Sequence, residues 1–235
     1  MTSRQLFSFL FGVAAWSLSS LAMASWDMGP CSGTGTAPCI ETEINGNTYH
    51  FNGNGSHAGV WHGRPAAEGG GEFDFSGTDL DFTCDPVSWG CNLTLSGEVK
   101  KCQDSSGAWR VGVRVTDADL SAGSFACDLF TVDGFPWYFK DPTIASHCPF
   151  EDDCDSFIPY NPNASTYTGN FGSVSVSSFL NTYVDNGHLH GVVFTPGVGA
   201  TFDLGNKSFF SCDEEEACSL DGVLTLDNAM SLDIH

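Results

Sequence analysis

Apolar and polar residues alternate with a period of two along most of the chain, the pattern that predicts half-buried β-strands. An Asn45-Gly46 pair between β-forming residues predicts a tight hairpin. Gly, Asn, Asp and Ser interrupt the chain at short intervals, and no apolar run with helical spacing follows the first 26 residues. We therefore expect an all-β, antiparallel, β-sandwich-like fold. The clearest strand candidates are residues 93–95, 109–115, 174–176, 191–194, 201–204 and 223–226.

The start of the chain has the features of a cleaved signal peptide. Arg4 is the only charged residue in the first 26, residues 6–21 are apolar or small, and an Ala-Met-Ala cleavage pattern ends at Ala24. The alternative is a membrane anchor, but a spanning helix needs about 20 apolar residues, and serines interrupt this stretch. We expect a protein with no membrane span that is secreted, extracellular or on the cell surface. The expected organisation is a signal peptide at 1–24, an extension or hairpin at 25–72 and the β-sandwich-like domain at 73–235.

Ten cysteines in an exported chain predict a disulfide-stapled domain rather than thiolate metal sites, because none of their spacings matches a structural zinc motif. Short spacings favour pairing between neighbours, although spacing alone leaves the connectivity open. Pairing by neighbour predicts Cys31–Cys39, Cys84–Cys91, Cys148–Cys154 and Cys212–Cys218, with Cys102–Cys127 as the remaining pair.

The charge of the chain excludes several classes of partner. It has 29 acidic against eight basic side chains, a formal net charge of −21. Such a protein repels nucleic-acid phosphates and anionic membranes. Acidic runs at 151–155 and 213–216 lie beside cysteines, and weak divalent-cation binding is one interpretation of them. A solvated acidic loop is the simpler one, so we assign no metal site.

Residues that carry catalysis show no recognisable arrangement in the sequence. There is no G-x-S-x-G elbow, phosphate-binding loop, dinucleotide fingerprint or H-E-x-x-H pair. A glycosidase pair of carboxylates leaves no sequence pattern and stays open as an alternative. His188 and His190 lie on one side of a predicted strand and resemble half of a copper or zinc site, with His57 or His62 as further ligands. Surface imidazoles explain them more simply. We therefore expect a non-enzymatic protein without a cofactor.

A short segment is unusually rich in aromatic residues. Phe135, Pro136, Trp137, Tyr138 and Phe139 follow one another, and the proline stiffens the backbone that presents the rings. Alternation predicts Phe135, Trp137 and Phe139 on one face and Tyr138 on the other. At least two of these rings are expected in the core. The remaining rings are candidates for an exposed hydrophobic interface.

Residues 73–235 resemble the PraB-type protein activators of alkane oxidation, a family of small exported bacterial proteins. The similar elements are the strand at 93–99, which reads Leu-Thr-Leu-Ser-Gly-Glu-Val, the segment 115–127 ending at Cys127, and the Gly-Phe-Pro-Trp turn at 134–137. A Cys-led strand at 218–224 closes the pattern. Phe135 replaces the leucine of the family's turn, and residues 25–72 have no counterpart in the pattern.

The resemblance implies an accessory protein that helps bacteria to grow on water-insoluble hydrocarbon, with a hydrophobic substrate surface as its partner. We expect contact with such a surface, or its dispersal, through the aromatic segment. One alternative is a matrix (biofilm), adhesin or filament subunit whose partner is a second copy of itself. Another is a carbohydrate-binding module that uses stacking rings at Trp61, Trp89, Trp109 or Trp137.

Overall fold

The computed structural model describes residues 25–32, 35, 37–52, 59–84, 87–121, 127–143, 148–213 and 215–235. The predicted signal peptide and His57 lie outside these residues. Within them the chain forms strands and three short 3-10 turns (Ala66–Glu68, Cys127–Leu129 and Cys154–Ser156) and no α-helix. No helix in this part of the chain is long and apolar enough to cross a membrane. The all-β prediction is confirmed.

Seventeen strands follow one another in the described residues. The first nine are β1 (Asp27–Met28), β2 (Ile40–Ile44), β3 (Asn47–Phe51), β4 (Phe73–Cys84), β5 (Val87–Gln103), β6 (Trp109–Ser121), β7 (Phe130–Asp133), β8 (Trp137–Lys140) and β9 (Ile158–Pro159). The others are β10 (Tyr167–Ser178), β11 (Thr182–Thr195), β12 (Gly197–Val198), β13 (Thr201–Asp203), β14 (Lys207–Phe210), β15 (Glu216–Asp221), β16 (Val223–Leu226) and β17 (Ser231–Ile234). Each of the six predicted segments coincides with or overlaps one of these strands.

The strands form a large and a small antiparallel sheet. The large sheet has the order β15-β14-β11-β13-β16-β4-β5-β6-β8-β10-β7, and β9 pairs with β6. Further ladders join β15 to β4 and β10 to β11, so the large sheet folds back on itself around an apolar interior. Both layers of the sandwich are therefore tied together by backbone hydrogen bonds as well as by packing.

The small sheet has the order β1-β3-β2-β17-β12. Its β2–β3 turn contains Asn45 and Gly46, both with positive φ, and Ile44 pairs with Asn47. These dihedral signs and the two-residue loop define a type I′ hairpin, which confirms the hairpin prediction. The C-terminal strand β17 pairs with β2, so residues near the N-terminus and the C-terminus complete one sheet.

All ten cysteines form disulfides, but the predicted pairing is correct only for Cys31–Cys39. The predicted partners Cys84 and Cys91 do not face each other in the β4–β5 hairpin. Cys84 lies opposite Val87, and Cys91 lies opposite Leu80. Cys84 instead faces the adjacent strand β15, where the Cα atoms of Cys84 and Cys218 are 4.4 Å apart. The other observed pairs are Cys91–Cys127, Cys102–Cys154 and Cys148–Cys212. Four of the five disulfides therefore join separate elements of the fold rather than closing single turns.

The small sheet is fastened to β5 by a buried lysine. Lys101 is fully buried, and its Nζ donates hydrogen bonds to the carbonyl oxygens of Pro38 (2.9 Å) and Phe51 (3.2 Å). The ammonium also lies 5.3 Å from the centroid of the Phe51 ring. Desolvation by burial lowers the pKa of Lys101 to about 7.

This lysine predicts a rise in stability with pH. An unfolded lysine titrates near pH 10.4, so between about pH 7 and 10 the unfolded chain binds one more proton than the folded chain. The cost of burying the ammonium is fully present below pH 7 and is removed as the pH rises. We expect the free energy of unfolding to gain about 2 kcal/mol from this group between pH 7 and 9. Urea unfolding at several pH values should show this gain in the wild type and in Lys207→Met, but not in Lys101→Met. Parallel profiles for all three proteins would contradict the prediction.

Candidate functional site

The predicted aromatic segment lies mainly in the core. Trp137 and Phe139 are 6% and 1% exposed, and the Phe139 ring packs 4.9 Å from that of Phe171. Phe135 is half-buried and stacks on Trp137 with 4.7 Å between ring centroids. The prediction that at least two of these rings belong to the core is confirmed.

The predicted division of the rings between two faces is also confirmed. Tyr138 points away from the core toward Trp61, with 6.0 Å between the ring centroids. Desolvation raises the pKa of the Tyr138 hydroxyl. On the core side, the Trp137 Nε1 donates to the carbonyl oxygen of Asp133 at 3.0 Å, which satisfies its polar edge inside the fold.

Burial corrects the assignment of a hydrophobic interface to this segment. Trp137 and Phe139 have almost no surface to offer, because β8 lies between β6 and β10 in the large sheet. Phe135, Pro136 and Tyr138 are half-buried. The segment is therefore chiefly part of the core and does not form an exposed aromatic patch.

Among the described residues, the most exposed large apolar side chain is Phe179, which lies in the turn between β10 and β11 next to exposed Leu180. Phe179 is 93% exposed and Leu180 is 80% exposed. Ser178 shapes the turn: its N–H donates to the carbonyl oxygen of Asn181 at 2.7 Å, and its Oγ accepts from the N–H groups of Leu180 and Asn181 at 3.4 and 3.3 Å. The backbone groups of the turn are thus satisfied locally, while its two apolar side chains project into water.

Three half-buried rings lie at the base of this turn. The Phe130 ring is 4.9 Å from that of Trp89 and 5.5 Å from that of Tyr183, and the Trp89 and Tyr183 rings are 6.3 Å apart. Strand β7 brings Phe130 opposite Ser178, directly before the turn. We call the turn and these rings the apolar tip. We include in it the exposed residues Val87, two positions before Trp89, and Leu129, directly before Phe130. Its members are Val87, Trp89, Leu129, Phe130, Phe179, Leu180 and Tyr183.

The sequence contains a signal for the tip that the alternation pattern hides. Phe179 and Leu180 are consecutive apolar residues with Ser-Ser before them and Asn-Thr after them. Turn-forming residues on both sides of an apolar pair indicate that the pair is held outside the sheet. The period-two pattern does not predict the position of such a pair, because two consecutive apolar residues belong to neither face of a strand.

Most of the described lysine and arginine side chains are buried or half-buried, so positive charge is scarce at the surface. Lys100, Lys101 and Lys140 are 4%, 0% and 2% exposed. Lys100 pairs with Asp152, and the Lys140 Nζ donates to Ser156 Oγ at 2.7 Å. The described arginines are also engaged, through hydrogen bonds from Arg64 to the Glu68 carbonyl, from Arg110 to Asp104 and from Arg114 to Glu98. The surface is therefore dominated by carboxylates, including exposed Asp128 and Asp185 close in sequence to members of the tip.

Among the described residues, the carboxylates of the two acidic runs form no group that could hold a metal ion. Asp152 accepts from Trp61 and Lys100, and Asp155 accepts from the N–H of Ser105. In the described residues, the group of metal-ligating side chains that lie within reach of one another is Cys31, Glu41 and His235. The sulfur of Cys31 is already bonded to Cys39, so this group does not offer a thiolate ligand.

The histidine pair lies in an aromatic environment. His188 is buried, and its ring lies 5.6 Å from both Phe150 and Phe210, whereas His190 is exposed. The two imidazole centroids are 6.1 Å apart. His62 stacks on Phe51, beside the small sheet, with 3.8 Å between the ring centroids. The surface-imidazole interpretation is thus wrong for His188, which is held by packing.

In comparisons with known proteins, the chain matches no protein-family model, no curated protein and no solved structure.

Proposed function

We propose that this chain is an exported, non-enzymatic accessory protein that helps cells to contact or disperse water-insoluble hydrocarbon, and that the apolar tip is the part that adsorbs. The observation that carries this proposal is the pair Phe179 and Leu180, adjacent in a turn and 93% and 80% exposed. The resemblance to the PraB-type activators of alkane oxidation supports the same substrate class.

Transfer of the tip into an apolar phase has a clear driving force. Moving a Phe or Leu side chain out of water contributes about 1.5–3 kcal/mol, and Phe179 and Leu180 are already ordered by the Ser178 hydrogen bonds. A projecting turn suits a fluid apolar phase, because such a phase closes around a convex shape without needing a matching pocket. The tip therefore acts as a small apolar anchor on an otherwise polar protein.

The charge distribution favours neutral oil over a charged bilayer as the apolar phase. Juxtamembrane proteins that bind anionic lipids do so through clustered lysines and arginines. Here the described lysines are buried apart from the half-buried Lys207. The exposed carboxylates of Asp128 and Asp185 are instead close in sequence to members of the tip. An acidic shell of this kind keeps the protein soluble and keeps coated droplets apart.

Self-assembly through sheet edges is the second function that the sequence suggests. The outer strands of the small sheet, β1 and β12, are two residues long each. Very short edge strands are poor templates for strand addition. The apolar tip is therefore the better supported contact surface of the two.

Partition into oil tests the proposal. Oxidised protein comprising residues 25–235 is mixed with hexadecane droplets, and the protein left in the aqueous phase is measured. We expect the wild type to move to the droplets and Phe179→Ser/Leu180→Ser to partition at least tenfold less, because most of the exposed apolar surface of the turn is gone.

The matched control is Val198→Ser/Met230→Ser. These two side chains are 83% and 55% exposed, and they belong to neighbouring segments, because Val198 pairs with Ser231 and the Gly199 N–H donates to the Met230 carbonyl. The control therefore removes a comparable apolar pair elsewhere. It should partition like the wild type. An equal loss in both double variants would contradict a role specific to the tip. Light scattering in buffer without oil should show a small species, whereas large assemblies would favour the filament or matrix function.

A further inference from the structure

A cavity of about 40 Å³ lies inside the large sheet, and its lining is entirely apolar. One water needs at least about 10–15 Å³ together with two or more polar partners. This cavity has roughly three times that volume and offers no polar partner, so we expect it to be dry. Its walls come from both layers of the sandwich and include Phe82, Leu93, Val132, Val176, Leu189 and Leu220.

The cavity lies directly beneath the apolar tip. Phe82 lines the cavity, and its ring lies 5.3 Å from Phe130 and 6.1 Å from Trp89, two of the half-buried rings at the base of the tip. Val132 also lines it and follows Phe130 by two residues on β7, on the same face of the strand. The Phe82 ring and the half-buried rings of Phe130 and Trp89 therefore lie between the cavity and the tip.

We propose that this cavity binds the methyl-terminated end of a saturated alkyl chain, admitted between the rings at the base of the tip. The choice of hydrocarbon as the ligand class rests on the proposed function. The cavity itself supports an apolar ligand independently, because a polar group placed there would lose its hydrogen bonds to water and find no partner. Its volume limits the bound part to two or three methylene-sized groups.

Two sources share this chemistry: a free alkane, and the acyl chain of a lipid or fatty acid. Both end in the same methyl-terminated segment. They differ in the polar head, which would emerge at the tip near exposed Asp128 and Asp185. A carboxylate head would meet like charges there, so the surface charge favours a free alkane.

Binding of small apolar probes in water, without any oil phase, tests the site. The probes are xenon and propane dissolved under pressure, and the readout is the ¹³C-methyl NMR spectrum of the leucines and valines. We expect saturable shifts at Leu93, Leu189 and Leu220, which line the cavity. Val176→Ile adds one methylene to the wall and should weaken the binding of both probes at least fivefold.

Val111→Ile is the matched control, because Val111 is equally buried but lines a separate void of about 10 Å³. It should bind the probes like the wild type. Val132→Ile, at a half-buried wall position, provides a second filling variant should Val176→Ile fail to fold. Shifts that are absent, that do not saturate, or that are equally affected by Val111→Ile would overturn the proposal.

The experiment separates this proposal from adsorption. Phe179→Ser/Leu180→Ser should leave xenon binding unchanged while it reduces droplet partition, and Val176→Ile should do the reverse. Loss of xenon binding in the tip variant would overturn the internal site, even if adsorption holds. A further titration with octanoate distinguishes the sources: binding of propane but not octanoate supports a free alkane, and equal binding of both supports a lipid chain.

Discussion

Replacing Cys84 and Cys218 together by alanine should lower the free energy of unfolding by about 4 kcal/mol. This disulfide joins residues 134 positions apart and ties β4 to β15, where the large sheet folds back on itself. A crosslink removes chain entropy from the unfolded state in proportion to the logarithm of the loop that it closes. Through the retained Cys102–Cys154 and Cys148–Cys212 bonds, this disulfide closes a ring of about 30 residues in the unfolded chain. That ring is still much longer than the one closed by Cys31–Cys39.

The control is the double replacement of Cys31 and Cys39, whose disulfide spans eight positions. Loop entropy alone predicts a loss of about 2.5 kcal/mol for this variant. Both variants retain four disulfides, and both are measured by urea unfolding of oxidised protein, with tryptophan fluorescence as the readout. Equal losses in the two variants would show that loop length does not govern the contribution of these crosslinks.

The disulfide connectivity could be predicted from the sequence only in part. Short spacing between Cys84 and Cys91 suggests a bond that closes one turn. The register of the hairpin places Cys91 opposite Leu80, and the neighbour of Cys84 is Cys218 on another strand. Which strands become neighbours depends on the topology of the whole sheet, and residue spacing carries no information about it. Cys31–Cys39 was predictable because its partners belong to one local segment.

Strand positions were predictable because alternation is a local property. The six predicted segments lie at strand positions, and Asn45-Gly46 forms the expected hairpin, since positive φ at both positions depends only on those residues. The same alternation correctly separated Tyr138 from Trp137 and Phe139. It could not tell which of the two faces is the core, because that depends on the strands packed on each side. The alternation pattern therefore placed an interface candidate on a segment in which Trp137 and Phe139 are buried.

The tip was missed for a related reason. Phe179 and Leu180 leave the period-two pattern, and aromatic density drew attention to the segment around Trp137 instead. Apolar residues in a turn do not contribute to the alternation that predicts a strand, yet the two in this turn are exposed. Sequence patterns in this chain thus find the fold more reliably than the surface that the fold presents.

Removal of the Phe202 ring should show how far buried and exposed rings differ in their contributions to the free energy of unfolding. Phe202 is 2% exposed and lies at the centre of a group of phenylalanine rings. Its centroid is 4.7 Å from that of Phe75, 4.9 Å from Phe194, 5.3 Å from Phe171 and 6.0 Å from Phe139. Phe202→Ala leaves a cavity between layers that cannot collapse freely, because backbone ladders hold β13 between β11 and β16. We expect a loss of about 4 kcal/mol in the free energy of unfolding.

Phe179→Ala is the matched control, since it removes the same ring from a position that is 93% exposed. Its free energy of unfolding should stay within about 0.5 kcal/mol of the wild type, while its partition into hexadecane falls. Phe202→Ala should partition normally under conditions where it remains folded. If the tip ring instead contributed to stability like a core ring, Phe179→Ala would unfold at a lower urea concentration, and the tip would be part of the core rather than a contact surface. The two variants therefore separate, within one residue type, the rings that hold the sandwich together from the ring that we propose meets the oil.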